Sequence, residues 1–381
     1  MFNRTLERRE LTFHLEQGRN VLVLAPRRAG KTWTRDRLAD DFRALGWITV
    51  LCDVQGMSEE AEFLRHLCLE IEKQDGLMAK AKGRARQALN QFFSRDSGGW
   101  QQALTQMHWA SFARALVEGL NERGVRTLIL VDELSLFIAA RALRDPRAAK
   151  DFLYGLRALA HDYPNVRWLF TGSIGLDSVA LRHNIGGALV DLHHYALEPL
   201  RPDVARVFLE HLAADGLVLR PFALDDAGFA HLAAELGWLV PYYLEILAHE
   251  LRPGGPPAAD GRPLARREDI EAAFAALLHP DRRRHFVTWE EHLEKNFPET
   301  VATALGAILA LLARQPRGER FDTALTALGR PPHGLDRRTL NDLLCILVAD
   351  GYLETVAEEG ETRYRFRSGL LRRYWLTYHV D

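Results

Sequence analysis

The stretch NVLVLAPRRAGKTWTRD, residues 20–36, decides how the rest of the chain is read. An apolar run (NVLVL, 20–24) enters a Pro-Arg-Arg turn and leaves through Gly-Lys-Thr into TWTRDRLADDFRALG, where Leu38, Phe42 and Leu45 recur on one helical face. Strand, loop and helix form the context of a phosphate-binding loop. Such a loop needs inward backbone N–H groups, a glycine where the main chain must approach phosphates, a cation, and a hydroxyl for Mg²⁺. Gly30, Lys31 and Thr32 supply the last three. The first motif position needs only a small residue, so [AG]-x-x-x-x-G-K-[ST] is satisfied by Ala25, Pro26, Arg27, Arg28, Ala29, Gly30, Lys31 and Thr32, with Trp33 following in the helix. Lysine occurs only at positions 31, 73, 80, 82, 150 and 295 among 49 basic residues. Lys31 therefore stands out as a compact ammonium able to reach β- and γ-phosphates, a role that a planar guanidinium fills poorly.

A second signal lies about a hundred residues downstream. RTLILVDE (126–133) is an apolar strand that ends in two acids. Asp132 is placed to hold a Mg²⁺ ion together with Thr32, and Glu133 to activate an attacking water as general base. A carboxylate directly after the aspartate favours hydrolysis over phosphoryl transfer to a substrate. The strand NVRWLFTGS (165–173) ends in Thr171-Gly172-Ser173. Ligands of parallel sheets lie beyond the C-terminal strand ends, so Thr171 and Ser173 are expected to face the γ-phosphate.

Composition sets the boundaries of this reading. At 381 residues the chain is long enough for two or three domains. Its net charge of −2, from 49 basic and 51 acidic residues, creates no global basic field for nucleic acid. Cys52, Cys68 and Cys345 have neither disulfide-framework nor zinc spacing, which fits a reducing, cytoplasmic setting. The longest apolar run, VATALGAILALLA (301–313), is too short to span a bilayer, so no membrane partner is expected. His183, His193 and His194 lack the carboxylate or cysteine company of a metal cluster.

Four strands, NVLVL, WITVLCDVQ (47–55), RTLILVDE and NVRWLFTGS, alternate with helical segments through about residue 195. A helical region from about Ser58 to Gly124 is interrupted by KGR and DSGGW. This pattern predicts a parallel sheet covered on both faces. Three helices follow LEPL, then a Pro/Gly loop (252–263) and another helical block through Arg282-Arg283-Arg284 to about Ala313. FDTALTALG, DRRTLNDLLCILVADG and YLETVAEEGETRYRFRS read as two helices and two alternating strands around a Glu-Glu-Gly turn, the order of a winged helix-turn-helix. The expected fold is an α/β P-loop NTPase core of AAA+-like type (1–198), a helical lid (199–284) and a winged-helix domain (285–381).

Taken in this order, the elements resemble the STAND group of AAA+-related ATPases, and within it the archaeal-type ATPases, whose loops often read like APRRAGKT. The resemblance covers nearly the whole chain, with its specific motifs in the P-loop and the acidic strand. It implies ATP and Mg²⁺ as ligands. It matches Lys31 and Thr32 to the Walker A pair, Asp132 and Glu133 to Walker B, Thr171 or Ser173 to the sensor, and Phe2-Asn3-Arg4 to an F-x-x-R segment near the adenine. STAND lids carry Gly-x-Pro beside the base; here Gly237 and Pro241 are four apart, so Pro241 is only a candidate. Before LEPL no arginine occupies an obvious finger position, Arg182 being the nearest upstream.

Residues 281–381 hold fifteen basic and fifteen acidic residues, and the expected wing tip, AEEGE, is acidic. Phosphate contacts dominate DNA affinity, so this balance disfavours strong DNA binding. The basic residues that DNA would need are Arg337, Arg338, Arg363, Arg365, Arg367, Arg372 and Arg373. Two readings follow: an ATP-controlled switch or scaffold with a protein partner or self-assembly, and, as the alternative, a DNA-associated ATPase resembling archaeal origin-recognition proteins.

Overall fold

In a computed structural model of the chain, which describes residues 4–26, 28–74, 109–122, 124–172, 186–358 and 360–380, the polypeptide divides into two compact units. One comprises Asn3–Ala25 and Lys31–Leu197; the other comprises Pro26–Gly30 and Glu198–Asp381.

The first unit is built on five parallel strands: β1 (Val21–Leu24), β2 (Ile48–Asp53), β3 (Thr127–Asp132), β4 (Val166–Gly172) and β5 (His193–Ala196), in the order β2-β3-β4-β1-β5. Central β3 is buried along its whole length, as a strand covered on both faces must be. Helices α1 (Thr5–Glu16), α2 (Lys31–Ala44), α3 (Glu60–Glu72), α4 (Trp109–Asn121), α5 (Leu134–Arg144) and α6 (Pro146–Asp162) complete it. A buried cluster joins Phe63, Phe137 and Phe152 to Trp168 and Phe170 of β4. Each such aromatic contributes about 1.5–3 kcal/mol on burial.

Three details differ from the sequence reading. Leu38 and Phe42 are fully buried, but Leu45 lies past the end of α2 and is 54% exposed, because the turn at Gly46 (φ +80°) carries it off the apolar face. A fifth strand, β5, pairs with β1; as an edge strand of sequence HHYA it alternates polar and half-exposed, which hides it from an apolar-run search. Helix α5 starts directly after Glu133 with no breaker between strand and helix.

The second unit begins with α7 (Pro202–Ala214), α8 (Asp226–Leu236), α9 (Pro241–Glu250) and α10 (Arg267–Leu277), followed by a 3₁₀ turn (Pro280–His285), α11 (Val287–Asn296) and α12 (Glu299–Ala313). Proline at the first position of α7 and α9 fits a place where no N–H is needed. Then come β6 (Glu319–Arg320), α13 (Phe321–Leu328), α14 (Arg337–Ala349), β7 (Leu353–Glu358), β8 (Glu361–Phe366) and α15 (Gly369–Tyr378). Two helices and an antiparallel hairpin occupy this segment, with β6 as a third, antiparallel strand in the order β6-β8-β7.

Helix α15 was hidden in the sequence among arginines. Leu370, Leu371, Tyr374 and Trp375 face inward while Arg372 and Arg373 sit between them. Its first residue must be glycine, since a Cβ on Gly369 would lie 2.0 Å from the Glu235 carbonyl at the end of α8. Arg373 then bridges Glu271 of α10 (2.9 Å) and Glu235, so helices from either side of residue 285 share one ion-pair network. No helix among the described residues is long and apolar enough to cross a membrane.

Candidate functional site

Strands β1, β3 and β4 deliver their C-terminal ends side by side, and the polar residues singled out in the sequence meet there. Thr32 Oγ1 donates to Asp132 Oδ2 at 3.0 Å, although the two are a hundred positions apart. Thr171, buried at the end of β4, donates its hydroxyl to Asp132 Oδ1. The Glu133 N–H is shared between Asp132 Oδ1 (3.1 Å) and Thr171 Oγ1 (3.2 Å). Lys31, 6% exposed, donates to the Ala25 carbonyl at 3.0 Å, and its ammonium lies 3.9 Å from Glu133 Oε1. Ala25 itself is fully buried, so a larger side chain at this first loop position would have to displace its neighbours. Ser173, Arg27, Phe2, Asn3, Arg182 and His183 lie outside the described residues.

Two of the strained backbone positions fall within the motifs themselves. Among the described residues only Arg4, Arg28 and Glu133 are non-glycine residues at positive φ. Arg28 lies in the loop at φ +70° and Glu133 immediately follows β3 at φ +57°. Left-handed backbone costs a side-chain-bearing residue about 1–2 kcal/mol, and such strain clusters where function fixes the geometry. Gly30, at φ +92° with open space where a Cβ would stand, is glycine for its backbone angle rather than for crowding.

Sequence reasoning missed Arg35. One helical turn after Thr32, its guanidinium donates to Asp132 Oδ2 at 2.6 Å, the oxygen that Thr32 also contacts. The i, i+3 spacing on α2 was the available signal. Asp132 is 2% exposed and surrounded by three side-chain donors, so its charge is compensated although it is buried. The Thr32 hydroxyl and Asp132 carboxylate are hard oxygen donors in contact, a pairing that suits Mg²⁺ completed by waters and phosphate oxygens. Arg35 already places a positive charge on the shared carboxylate oxygen. Nearby Cys52 is excluded as a nucleophile: burial, then the charges of Glu70 and Asp53, push its thiol far above the usual range.

Trp33 is half-buried, with the Arg37 guanidinium 5.7 Å from its ring centroid. Arg28 and Pro26 of the loop contact residues of the second unit. The Arg28 guanidinium lies 3.9 Å from the Tyr242 ring centroid and donates to Thr288 Oγ1 at 3.0 Å. Pro26 packs against Gly351, where a Cβ would come within 3.0 Å of it. Tyr242 follows Pro241 at the start of α9 and shares a 2.6 Å hydrogen bond with His285 Nδ1. Burial, followed by the charges of Arg284, Arg28 and Arg282, holds His285 below its ordinary pKa, so it stands neutral beside the tyrosine.

The basic residues expected on a DNA-binding face are largely engaged inside the unit. Arg363 pairs with Glu358 (3.1 Å), Arg365 with Glu354 (2.7 Å) and Arg337 with Asp322 (3.0 Å). Arg372 donates to the Ala313 carbonyl at 2.9 Å. Arg367 lies 5.8 Å from the Trp238 ring centroid, and burial lowers its pKa. Arg338 is exposed at the start of α14.

Against known proteins, no protein-family profile matches the chain, and no curated protein sequence matches it. Solved structures do. A Walker-type ATPase of Pyrococcus abyssi superposes with a TM-score of 0.65 at 17% identity, over 98% of this chain and 96% of that one. The Aeropyrum pernix ORC2 protein, solved as ADPNP and ADP complexes, superposes with a TM-score of 0.54 at 15% identity, over 98% and 91%. Likeness at this level of identity shows the fold alone: an α/β P-loop NTPase fold with a parallel sheet, followed by a helical C-terminal region.

Proposed function

We propose that the chain binds and hydrolyses ATP and works as a STAND-type switch or scaffold, its nucleotide state controlling assembly or the binding of a protein partner. The observation that carries the ATP reading is the convergence of Thr32, Asp132, Lys31 and Glu133 at the ends of β1 and β3. Backbone N–H groups of the loop from Ala25 to Gly30 would cradle the phosphates, Arg27 being assigned there by the motif alone, and Lys31 would exchange the Ala25 carbonyl for phosphate oxygens. Thr32 and Asp132 hold Mg²⁺, which, when bound, neutralises phosphate charge. Glu133 acts as general base toward water, and its left-handed backbone fixes the direction of its side chain. Thr171 orients both acids through Asp132 Oδ1 and the Glu133 N–H, and Ser173 is assigned to the same sensor position. Trp33 and Pro241 are assigned to the nucleotide's surroundings.

The switch reading draws support from Arg28, Tyr242 and Thr288. A loop that rearranges around phosphates cannot keep every contact at Arg28 unchanged, so the contacts of Arg28 with Tyr242 and Thr288 would respond to loop occupancy. On this reading residues 1–198, 199–284 and 285–381 serve as motor, lid and winged-helix output. The DNA-associated alternative has in its favour the likeness to the ORC2 protein and the helix-helix-hairpin order. Against it stand the arginines engaged in ion pairs and the acidic hairpin tip.

The test is a pair of measurements on purified protein. Glu133→Gln should retain Mg-ATP while turnover falls roughly a hundredfold; equal turnover would remove Glu133 as the base. Fluorescence anisotropy with duplex DNA across salt concentrations should give no better than the weak, micromolar-or-worse affinity of non-specific contacts. A nanomolar, sequence-specific complex lost in Arg337→Glu/Arg338→Glu would replace the switch by the DNA-associated reading.

A further inference from the structure

Helix α12 is apolar around most of its circumference, and a helix of that kind is ordinarily covered on all sides. Leu305, Ile308, Leu309 and Leu312 are buried in the second unit. An adjoining, half-buried face carries Ala302, Gly306 and Ala310, one residue on each successive turn, and floors a groove of about 720 Å³ walled by α11 and the end of α15.

Two independent observations mark this groove. Gly306 sits in mid-helix, where glycine is the poorest helix former after proline, yet a Cβ there would meet nothing within 4 Å. Nothing among the described residues accounts for its small size. Trp375, which lines the same groove, is 2% exposed, and its indole N–H has no hydrogen-bond acceptor among the described residues. A buried donor of this kind is costly unless an acceptor arrives from elsewhere.

Charge identifies what arrives. Glu299 opens α12 and Arg314 follows its last residue, seven and eight positions either side of Gly306. An antiparallel copy of the same helix crossing at Gly306 sets each Glu299 beside the other copy's Arg314, aligns Ala302 with Ala310, and brings Thr303 hydroxyls within the groove as acceptors. This is the self-complementarity of an isologous two-fold contact. We propose that the chain self-associates through α12, two copies crossing antiparallel at Gly306. The proposal is independent of the nucleotide reading. Two helices about 22 Å long bury less than the roughly 800 Å² per partner of a standard interface, which puts the dimer in the micromolar class.

Sedimentation velocity of the full chain, without nucleotide, tests this from about 1 to 300 μM, the range bracketing a micromolar dissociation constant. The wild type should shift from monomer to dimer, and Gly306→Leu should remain monomeric throughout. Gly306→Ala should weaken the dimer by about tenfold while raising the monomer's Tm by a few degrees. A mere packing role would move both in the same direction. Glu299→Arg and Arg314→Glu should each dimerise poorly alone, and mixing the two should restore the dimer, because both cross-pairs are then complementary. A wild type that is monomeric at every concentration, a dimer indifferent to Gly306→Leu, or single variants that do not recover on mixing would overturn the proposal.

Discussion

The two units use their charged residues in opposite ways. In the sheet unit, Lys31, Thr32, Arg35, Asp132, Glu133 and Thr171 come from three distant parts of the sequence and converge at strand ends, where Asp132 is buried among three donors. In the C-terminal block, arginines that look like one basic run disperse into separate pairs with Glu354, Glu358, Glu235 and Glu271. Convergent charge gathers around one buried carboxylate, whereas dispersed charge joins helices and strands to one another. Substitutions at the strand ends should therefore damage ligand binding with little loss of fold, and those in the arginine pairs should do the reverse.

The largest expected effect is at Lys31. Lys31→Ala should weaken Mg-ATP binding at least about a hundredfold, the worth of a lost charge-assisted contact to phosphate, with circular dichroism unchanged; calorimetric titration checks it. Unaltered affinity would break the contrast at its first member. Arg373→Met should act on the other side. It removes the cation between Glu235 and Glu271 and should destabilise the second unit by about 2 kcal/mol, read by urea unfolding, while Mg-ATP affinity stays within twofold of wild type.

A smaller effect sharpens the contrast within the site. On the proposed reading Arg35 would compete with Mg²⁺ for Asp132 Oδ2, so Arg35→Met should lower the Mg²⁺ concentration needed for nucleotide binding by roughly tenfold, given charge repulsion at partly buried separations. A higher Mg²⁺ requirement would instead make Arg35 a phosphate ligand. The smallest effect is a pH dependence at His285, which faces Tyr242, Arg28, Arg282, Arg284 and Glu250. Its folded pKa lies below the ordinary value, so the unfolded chain takes up the proton first, and this contribution to stability is lost as pH falls below the ordinary histidine range. The Tm should drop by a few degrees between about pH 7.5 and 5.5, and His285→Gln should flatten that slope.

Much of the core was legible because its signals are local. A strand buried on both faces, such as TLILVD, must be apolar throughout, and a loop that approaches phosphates must carry glycine and lysine at fixed offsets. The edge strand HHYA was not legible, since its partner lies on one side only and its residues satisfy two environments alternately. Helix α15 was obscured for a related reason: Arg372 and Arg373 read as a charged run until carbonyls and carboxylates from α8, α10 and α12 are brought to them.

By itself the sequence determined the order of the first four strands, the phosphate-loop motif and the acidic strand end, because each depends on residue type and spacing within a few turns of chain. Only the tertiary structure decided that Arg35 shares the Asp132 oxygen with Thr32, that Arg28 rests on Tyr242, and that Arg373 ties Glu235 to Glu271. Those are pairings between side chains far apart in the sequence. Spacing along the chain does not encode them, since any arginine could answer any carboxylate until packing brings two of them within hydrogen-bond reach.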